Sequence, residues 1–325
     1  MANIGYLQVV RVCNQTCRFC SNPDNENCLS LEAGREVLDS LVERGYEGVF
    51  FTGGEPTIYE GLPELLAYAR ERGLTPRLIT NGQTLVERGY LETLKAAGLA
   101  RINMSLHSSR SEMQAFITRK PDSLECIDRA LANAATLAIP VDINTTINAY
   151  NASHLDETAR WIIDRHPFVR HVVYNTLDPS STRARENPDV VPKMRHVELS
   201  LFRALRLLER SGRTFRIERL PLCYMVEYAH CSTETRKIVK EEERFVHFLD
   251  QKGAVRQTRF DRDKAAACKV CRLDPVCAGL YGIDEYYDGA ELYPVFVDVS
   301  KIVARVMQGD AGDGTRVLRT EEQIG

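Results

Sequence analysis

Along the first two hundred residues, short runs of alternating apolar and polar positions take turns with longer stretches whose apolar residues recur every three or four positions. The short runs are YLQVVRV (6–12), GVFFT (48–52), PRLIT (76–80), RINMSL (101–106), VDINTTI (141–147) and HVVYN (171–175). Alternation with β-branched and aromatic residues predicts strands. Between them lie LEAGREVLDSLVERG (31–45), LPELLAYARERG (62–73), LVERGYLETLKAAG (85–98), LECIDRALANAATLA (124–138) and HLDETARWIIDRH (154–166), which read as amphipathic helices. With VELSLFRALRLLERSG (197–212) as the last helix, the pattern gives six strand-helix units. Strands alternating with helices imply an α/β fold with a parallel sheet, and six units are too few to close an eight-unit barrel, so an open, partial (β/α)6 barrel is expected.

The polar residues fall in one phase of this pattern. A cysteine loop follows the first strand, TGGEPT (52–57) the second and TNG (80–82) the third; NMSLHS (103–108) closes the fourth and NTTIN (144–148) the fifth. Each alone reads as an ordinary turn or loop. Together they converge on the carboxyl ends of the strands, where parallel α/β folds and TIM-like barrels carry their sites. His107 lies there too, either to orient substrate or move a proton near neutral pH, or as a histidine satisfied by neighbouring backbone.

Composition narrows the setting. The chain has 325 residues, 44% hydrophobic, a formal net charge of −3 and no lysine-arginine block, which argues against a nucleic-acid partner. No apolar run reaches membrane-span length and the N-terminus lacks signal-peptide features, so a cytoplasmic, non-membrane protein is expected. Ten cysteines in a chain of this kind point to free thiols or metal ligands rather than a disulfide framework. Cys126, on a helical pattern, reads as a small buried hydrophobe, and Cys28 as a buried spectator or, more sharply, a hydrogen-atom donor. Cys13, Cys17 and Cys20 instead sit in the polar segment CNQTCRFC. Three thiolates can hold three irons of a 4Fe-4S cluster and leave the fourth open for a substrate or cofactor.

These three cysteines, with Phe19 before the last, match CxxxCxφC (φ aromatic), and with GGEP after the next strand the region from about residue 5 to 215 resembles the radical S-adenosylmethionine (radical SAM) enzymes. The resemblance implies that the open iron is chelated by the amino and carboxylate groups of S-adenosylmethionine. It further implies that Gly53, Gly54 and Glu55 cradle the amino group, Phe19 places the adenine, and Ser105 with Asn103 contacts the ribose. Asn144 and Thr146 are placed to edge the adenine by position alone. One electron from an external reductant such as flavodoxin or ferredoxin would cleave the sulfonium, and the resulting 5'-deoxyadenosyl radical would abstract a substrate hydrogen; the catalytic residues themselves stay unassigned.

Beyond residue 215 the alternation stops. CKVCRLDPVC places Cys268, Cys271 and Cys277 at two- and five-residue gaps, a spacing that holds a metal or cluster more often than it decorates a core. The segment is similar to the C-terminal SPASM or twitch extensions of radical SAM enzymes, which hold auxiliary iron-sulfur clusters. The full SPASM pattern has a cysteine where this chain has Tyr281, so the resemblance implies one auxiliary iron-sulfur cluster of the 4Fe-4S kind. Its fourth ligand would be Cys223, with Cys231 as the alternative; zinc is the rival occupant. The glycines near it read as turn residues, and Tyr281, Tyr286 and Tyr287 as packing or substrate-facing.

The expected organisation is a radical SAM core over 1–215, a small Cys-rich twitch/SPASM-like domain over 216–300, and a C-terminal helix and polar tail over 301–325. Three functions fit. One is a radical SAM enzyme acting on a small metabolite (sugar, nucleoside or cofactor precursor), with the auxiliary cluster assisting oxidation or substrate binding. Another is a radical SAM peptide maturase, which the short stretch before the first strand disfavours by leaving no room for a leader-binding domain. The third is a non-enzymatic iron-sulfur or zinc scaffold, which leaves GGEP unexplained.

Overall fold

A computed structural model describes residues 4–22, 25–249 and 253–308. The part of the C-terminal tail from 309 onward lies outside the described residues.

The expected alternation is present. In order come β1 (Ile4–Val10), α1 (Leu31–Glu43), β2 (Gly48–Gly53), α2 (Leu62–Glu71), β3 (Thr75–Thr80), α3 (Arg88–Ala97), β4 (Arg101–Ser105), α4 (Ser111–Thr118), α5 (Ser123–Thr136), β5 (Val141–Ile147), α6 (Leu155–Arg165) and β6 (His171–Thr176). After these come α7 (Thr182–Glu186), α8 (Met194–Arg210), β7 (Thr214–Glu218), α9 (Thr233–Lys240), β8 (Arg244–His247), β9 (Ala254–Gln257) and α10 (Val299–Met307). β1 to β7 pair in parallel and in sequence order, as an α/β partial barrel requires. The described sheet is larger than six strands: β7 extends one side, and β8, parallel to β1, brings an antiparallel partner, β9, to the other.

Strand alternation divides the sheet into two faces. Leu7, Phe51, Leu78, Ile102, Ile143, Val172 and Ile217 join the helices in one hydrophobic cluster. α8 contributes Val197, Leu201, Ala204, Leu205 and Leu208, the three- and four-residue spacing that lays a single stripe on the sheet. The opposite face is polar and aromatic: Tyr6 stacks on Phe50 with ring centroids 5.2 Å apart, and Arg101 pairs with Asp142 at 2.8 Å. Arg244 on β8 lies 3.6 Å from Glu218 on β7, so the two sides of the sheet curl until they meet across this inner face.

The C-terminal segment does not stand apart from the barrel's core. Leu222, Tyr224, Tyr228, Leu273, Val276, Leu280 and Tyr287 belong to the same buried cluster as the strands. Among the described residues no helix is long and apolar enough to cross a membrane.

Candidate active site

The loop leaving β1 carries Cys13, Cys17 and Cys20, all partly buried free thiols. β2 delivers the GGEP segment against it. The Gly54 N–H donates to the Val10 carbonyl (2.6 Å) and the Glu55 N–H to the Val12 carbonyl (2.9 Å). A Cβ on Gly53 would lie 2.1 Å from the Val10 oxygen, and one on Gly54 2.1 Å from the Val12 oxygen. Gly-Gly is therefore needed first to let this loop run against the chain's own residues 10–12.

Glu55 is 1% exposed. Its Oε1 accepts from the Thr57 N–H (3.1 Å), the Thr57 hydroxyl (2.6 Å) and the Thr80 hydroxyl (2.7 Å), and its Oε2 from the Asn81 N–H (2.8 Å). Burial raises its pKa, and these donors oppose the rise. With three donors on Oε1 and one on Oε2, the carboxylate ties the end of β2 to the end of β3 and keeps acceptor capacity at Oε2.

Asn81 extends that tie to the thiols. Its Nδ2 donates to Asn14 Oδ1 (2.7 Å) and approaches Cys13 Sγ at 3.8 Å, while its Oδ1 accepts from the Gln83 N–H. The Asn22 N–H points at Cys20 Sγ (3.4 Å). Burial pushes the Cys13 thiol up to about 11 and Cys17 further; the neighbouring thiols add to both rises, and the Arg183 guanidinium on α7 opposes them. Sulfurs close enough that neighbouring thiols raise the pKa of Cys13 and Cys17, with N–H donors aimed at Cys13 and Cys20, fit a cationic iron cluster: bound iron would reverse the repulsion, and the N–H groups would stabilise the thiolates.

Phe19 lies edge-on to His107, centroids 4.8 Å apart, and packs on a small cluster of Leu177, Ala184 and Val190 in the segment after β6. His107 is 5% exposed; its Nδ1 accepts from the Thr146 N–H (3.2 Å), and burial holds its pKa down at about 4. It is a neutral histidine satisfied by backbone. Ser105, the last residue of β4, is the register partner of Asn144 in the middle of β5, and Asn103 is on the same face of β4 with its Oδ1 buried and without a hydrogen-bond partner. These side chains share one face without touching the thiols.

The second cysteine group also assembles. Cys223 is raised to about 12, chiefly by burial, with Cys277 and Cys268 as the thiols that add to the rise. The Val295 N–H donates to Cys271 Sγ (3.3 Å) and the Gly279 N–H to Cys277 Sγ (3.4 Å). Gly279 has φ +89°, and a Cβ there would meet the Asp263 oxygen at 2.4 Å, so only glycine gives this N–H to the sulfur. Cys231 is buried, with its Sγ 3.3 Å from His230 Nε2. Among the described residues no three His, Cys, Asp or Glu side chains are gathered as for a single metal ion.

Two simpler expectations change. Cys28 is exposed rather than buried and lines a surface cavity of about 330 Å³ with Val10, Val12 and Tyr59, because its strand-like bridge to Val10 sits at the sheet's rim. Cys126 is half-buried on α5 with its thiol 3.6 Å from Asp122 Oδ2, outside the core stripe. Thr57, Thr80, Asn81 and Arg183 were not singled out from the sequence; TNG marked a strand end without revealing that its asparagine joins Glu55 to Cys13.

Residues 7–162 match the model of the radical SAM superfamily. These residues thus form a radical SAM domain, the domain of a superfamily whose enzymes use a 4Fe-4S cluster and S-adenosylmethionine. It is 33% identical over 211 residues to the Fe-coproporphyrin III synthase of Methanosarcina barkeri (strain Fusaro / DSM 804), covering 62% of this chain and 52% of the relative. It is 33% identical over 153 residues to the PqqA peptide cyclase of Xanthomonas campestris pv. campestris (strain B100), covering 46% of this chain and 40% of that protein. The chain thus spans about half the length or less of these two curated relatives. Streptococcus suis SuiB bound to S-adenosylmethionine shares the fold at TM-score 0.64 and 15% identity, covering 90% of this chain and 76% of SuiB.

Proposed function

We propose that this protein is a radical SAM enzyme in which Cys13, Cys17 and Cys20 hold the S-adenosylmethionine-binding 4Fe-4S cluster. The observation that carries this is the continuous hydrogen-bonded path from Glu55 through Asn81 to Cys13, which locks the ends of β1, β2 and β3 around one point. When bound, the cluster and S-adenosylmethionine supply a 5'-deoxyadenosyl radical able to abstract a substrate hydrogen. The chain's own residues orient and enclose. Gly53 and Gly54 bring backbone close to the cysteine loop, and Phe19, buttressed by His107, gives an aromatic wall for the adenine. Ser105, Asn103 and Asn144 offer hydroxyl and amide groups to the ribose side, and the partnerless Asn103 Oδ1 supports a polar ligand there.

Cys223, Cys268, Cys271 and Cys277 are read as ligands of one auxiliary 4Fe-4S cluster; that Cys277 and Cys268 are near enough to raise the pKa of the Cys223 thiol supports Cys223 over Cys231. The substrate is read as a small metabolite, supported by the longest of the two reported curated matches, the relative named for a coproporphyrin product. A peptide substrate is the second reading, favoured by the similarity to a peptide cyclase. An external reductant such as flavodoxin or ferredoxin and a reducing, cytoplasmic setting follow from cluster chemistry.

The test is anaerobic reconstitution followed by dithionite and S-adenosylmethionine. Wild type forms 5'-deoxyadenosine and a Cys13→Ala, Cys17→Ala, Cys20→Ala variant does not; absence of the nucleoside from wild type, under conditions where a known radical SAM enzyme makes it, would overturn the proposal.

A further inference from the structure

Where β7 ends, the chain gathers positive charge that no step above uses. Arg219, immediately after β7, lies with its guanidinium carbon 5.8 Å from the centre of the Tyr281 ring; Arg262 covers the same ring at 4.1 Å. Arg219 directly follows the carboxyl end of β7 and Tyr281 is four residues past Cys277, so the contact joins a strand end of the sheet to the segment that carries the second cysteine group. Among the described residues Arg244 is paired with Glu218, but neither Arg219 nor Arg262 forms an ion pair with a carboxylate. Asp178, which with Arg219 and Glu291 influences Tyr287, spends its Oδ1 on the backbone and hydroxyl of Ser180.

The backbone is arranged to aim these two side chains. Arg219 has φ +59°, a left-handed conformation that non-glycine residues rarely hold without a reason, and buried Glu234 fixes it by accepting the Arg219 N–H at 3.2 Å. Arg262 is held by its N–H to the Ala278 carbonyl (2.6 Å), with the next residue, Asp263, exchanging hydrogen bonds with Leu280 (3.1 Å each way). Both arginines are half-buried. Arg262 spends one guanidinium N–H on the Asp261 carbonyl (2.9 Å), and the remaining donors of the two guanidiniums, gathered at one tyrosine ring with no carboxylate partner, suit planar, bidentate anion recognition.

We propose that Arg219 and Arg262 form a clamp for an anionic group of the substrate, a carboxylate or a phosphate, with Tyr281 as its aromatic floor. This rests on the radical SAM reading and narrows its substrate to an anionic small molecule.

The test uses the full chain, anaerobically reconstituted, titrated calorimetrically with pyrophosphate and, separately, with citrate. Wild type binds at least one saturably, more weakly as salt rises, and the preferred probe tells phosphate from carboxylate. Arg219→Gln with Arg262→Gln weakens that binding at least tenfold. Arg219→Lys with Arg262→Lys, keeping charge without the fork, weakens it less. Arg256→Gln, an exposed residue paired with Glu243, leaves it unchanged. Iron content and melting temperature identify any variant that misfolds, in which case the lysine pair carries the test. Wild type binding neither probe, or glutamine variants binding like wild type, overturns the clamp. If wild type forms 5'-deoxyadenosine yet binds neither anion, only the clamp falls; if the anion is bound through these arginines but no nucleoside forms, only the radical SAM reading falls.

Discussion

At the residue scale, His107 shows how position and chemistry separate. Its place after β4 marked it as a group that could move a proton, yet its ring is buried, accepts a backbone N–H and buttresses Phe19. Its pKa falls from the ordinary 6.5 to about 4 through burial. Between those values the unfolded chain binds the proton and the folded chain resists it. The histidine's contribution to stability is therefore complete above about pH 6.5 and lost as pH falls toward 4. Urea midpoints measured across that window should fall with pH in wild type and fall less steeply in His107→Gln. Glu55 gives a second expectation. Replacing it with glutamine offers an amide to hydroxyl and N–H donors that need an acceptor, so Glu55→Gln should cost roughly 1–3 kcal/mol in urea unfolding and lower iron incorporation.

At the element scale, the six long alternations were legible because each strand and helix repeats its period over enough residues to stand out. β7 was not. TFRIE is five residues long, three of them polar, and it takes its place by pairing with β6. β8 and β9 are shorter still and are fixed by the sheet edge they join. The thiol groups were visible as spacing, whereas the Glu55 network joins residues 25 and 26 positions apart and the two arginines beside Tyr281 are 43 apart in sequence, distances over which no local pattern operates. The glycines make the same point experimentally. Gly54→Ala drives a Cβ into the Val12 carbonyl and should destabilise by more than about 2 kcal/mol, with loss of iron. Gly89→Ala, on α3 with nothing within 4 Å, should instead stabilise by up to about 0.5–1 kcal/mol. Chemical denaturation of both variants under one set of conditions checks the contrast.

At the scale of the whole molecule, the curled sheet, the Cys-rich segment and the shared core make one architecture. Arg244 joins the two sides, facing Glu218 and also feeling Glu234 and Tyr6. Its removal would leave buried Glu234 and partly buried Glu218 near each other without this cation, so Arg244→Met should cost roughly 3 kcal/mol, measured by urea unfolding, and Glu218→Gln in the same chain should recover part of the loss.

The most direct measurement of that arrangement is electron paramagnetic resonance of the dithionite-reduced protein with and without S-adenosylmethionine, together with iron and sulfide counts, in wild type and in alanine variants of each cysteine group. The account predicts two iron-sulfur signals in wild type. It predicts that only the one lost with Cys13, Cys17 and Cys20 shifts on adding S-adenosylmethionine, and that roughly half the iron survives removal of either group. A single signal untouched by S-adenosylmethionine, or one that persists after Cys13, Cys17 and Cys20 are replaced and still shifts, would contradict it.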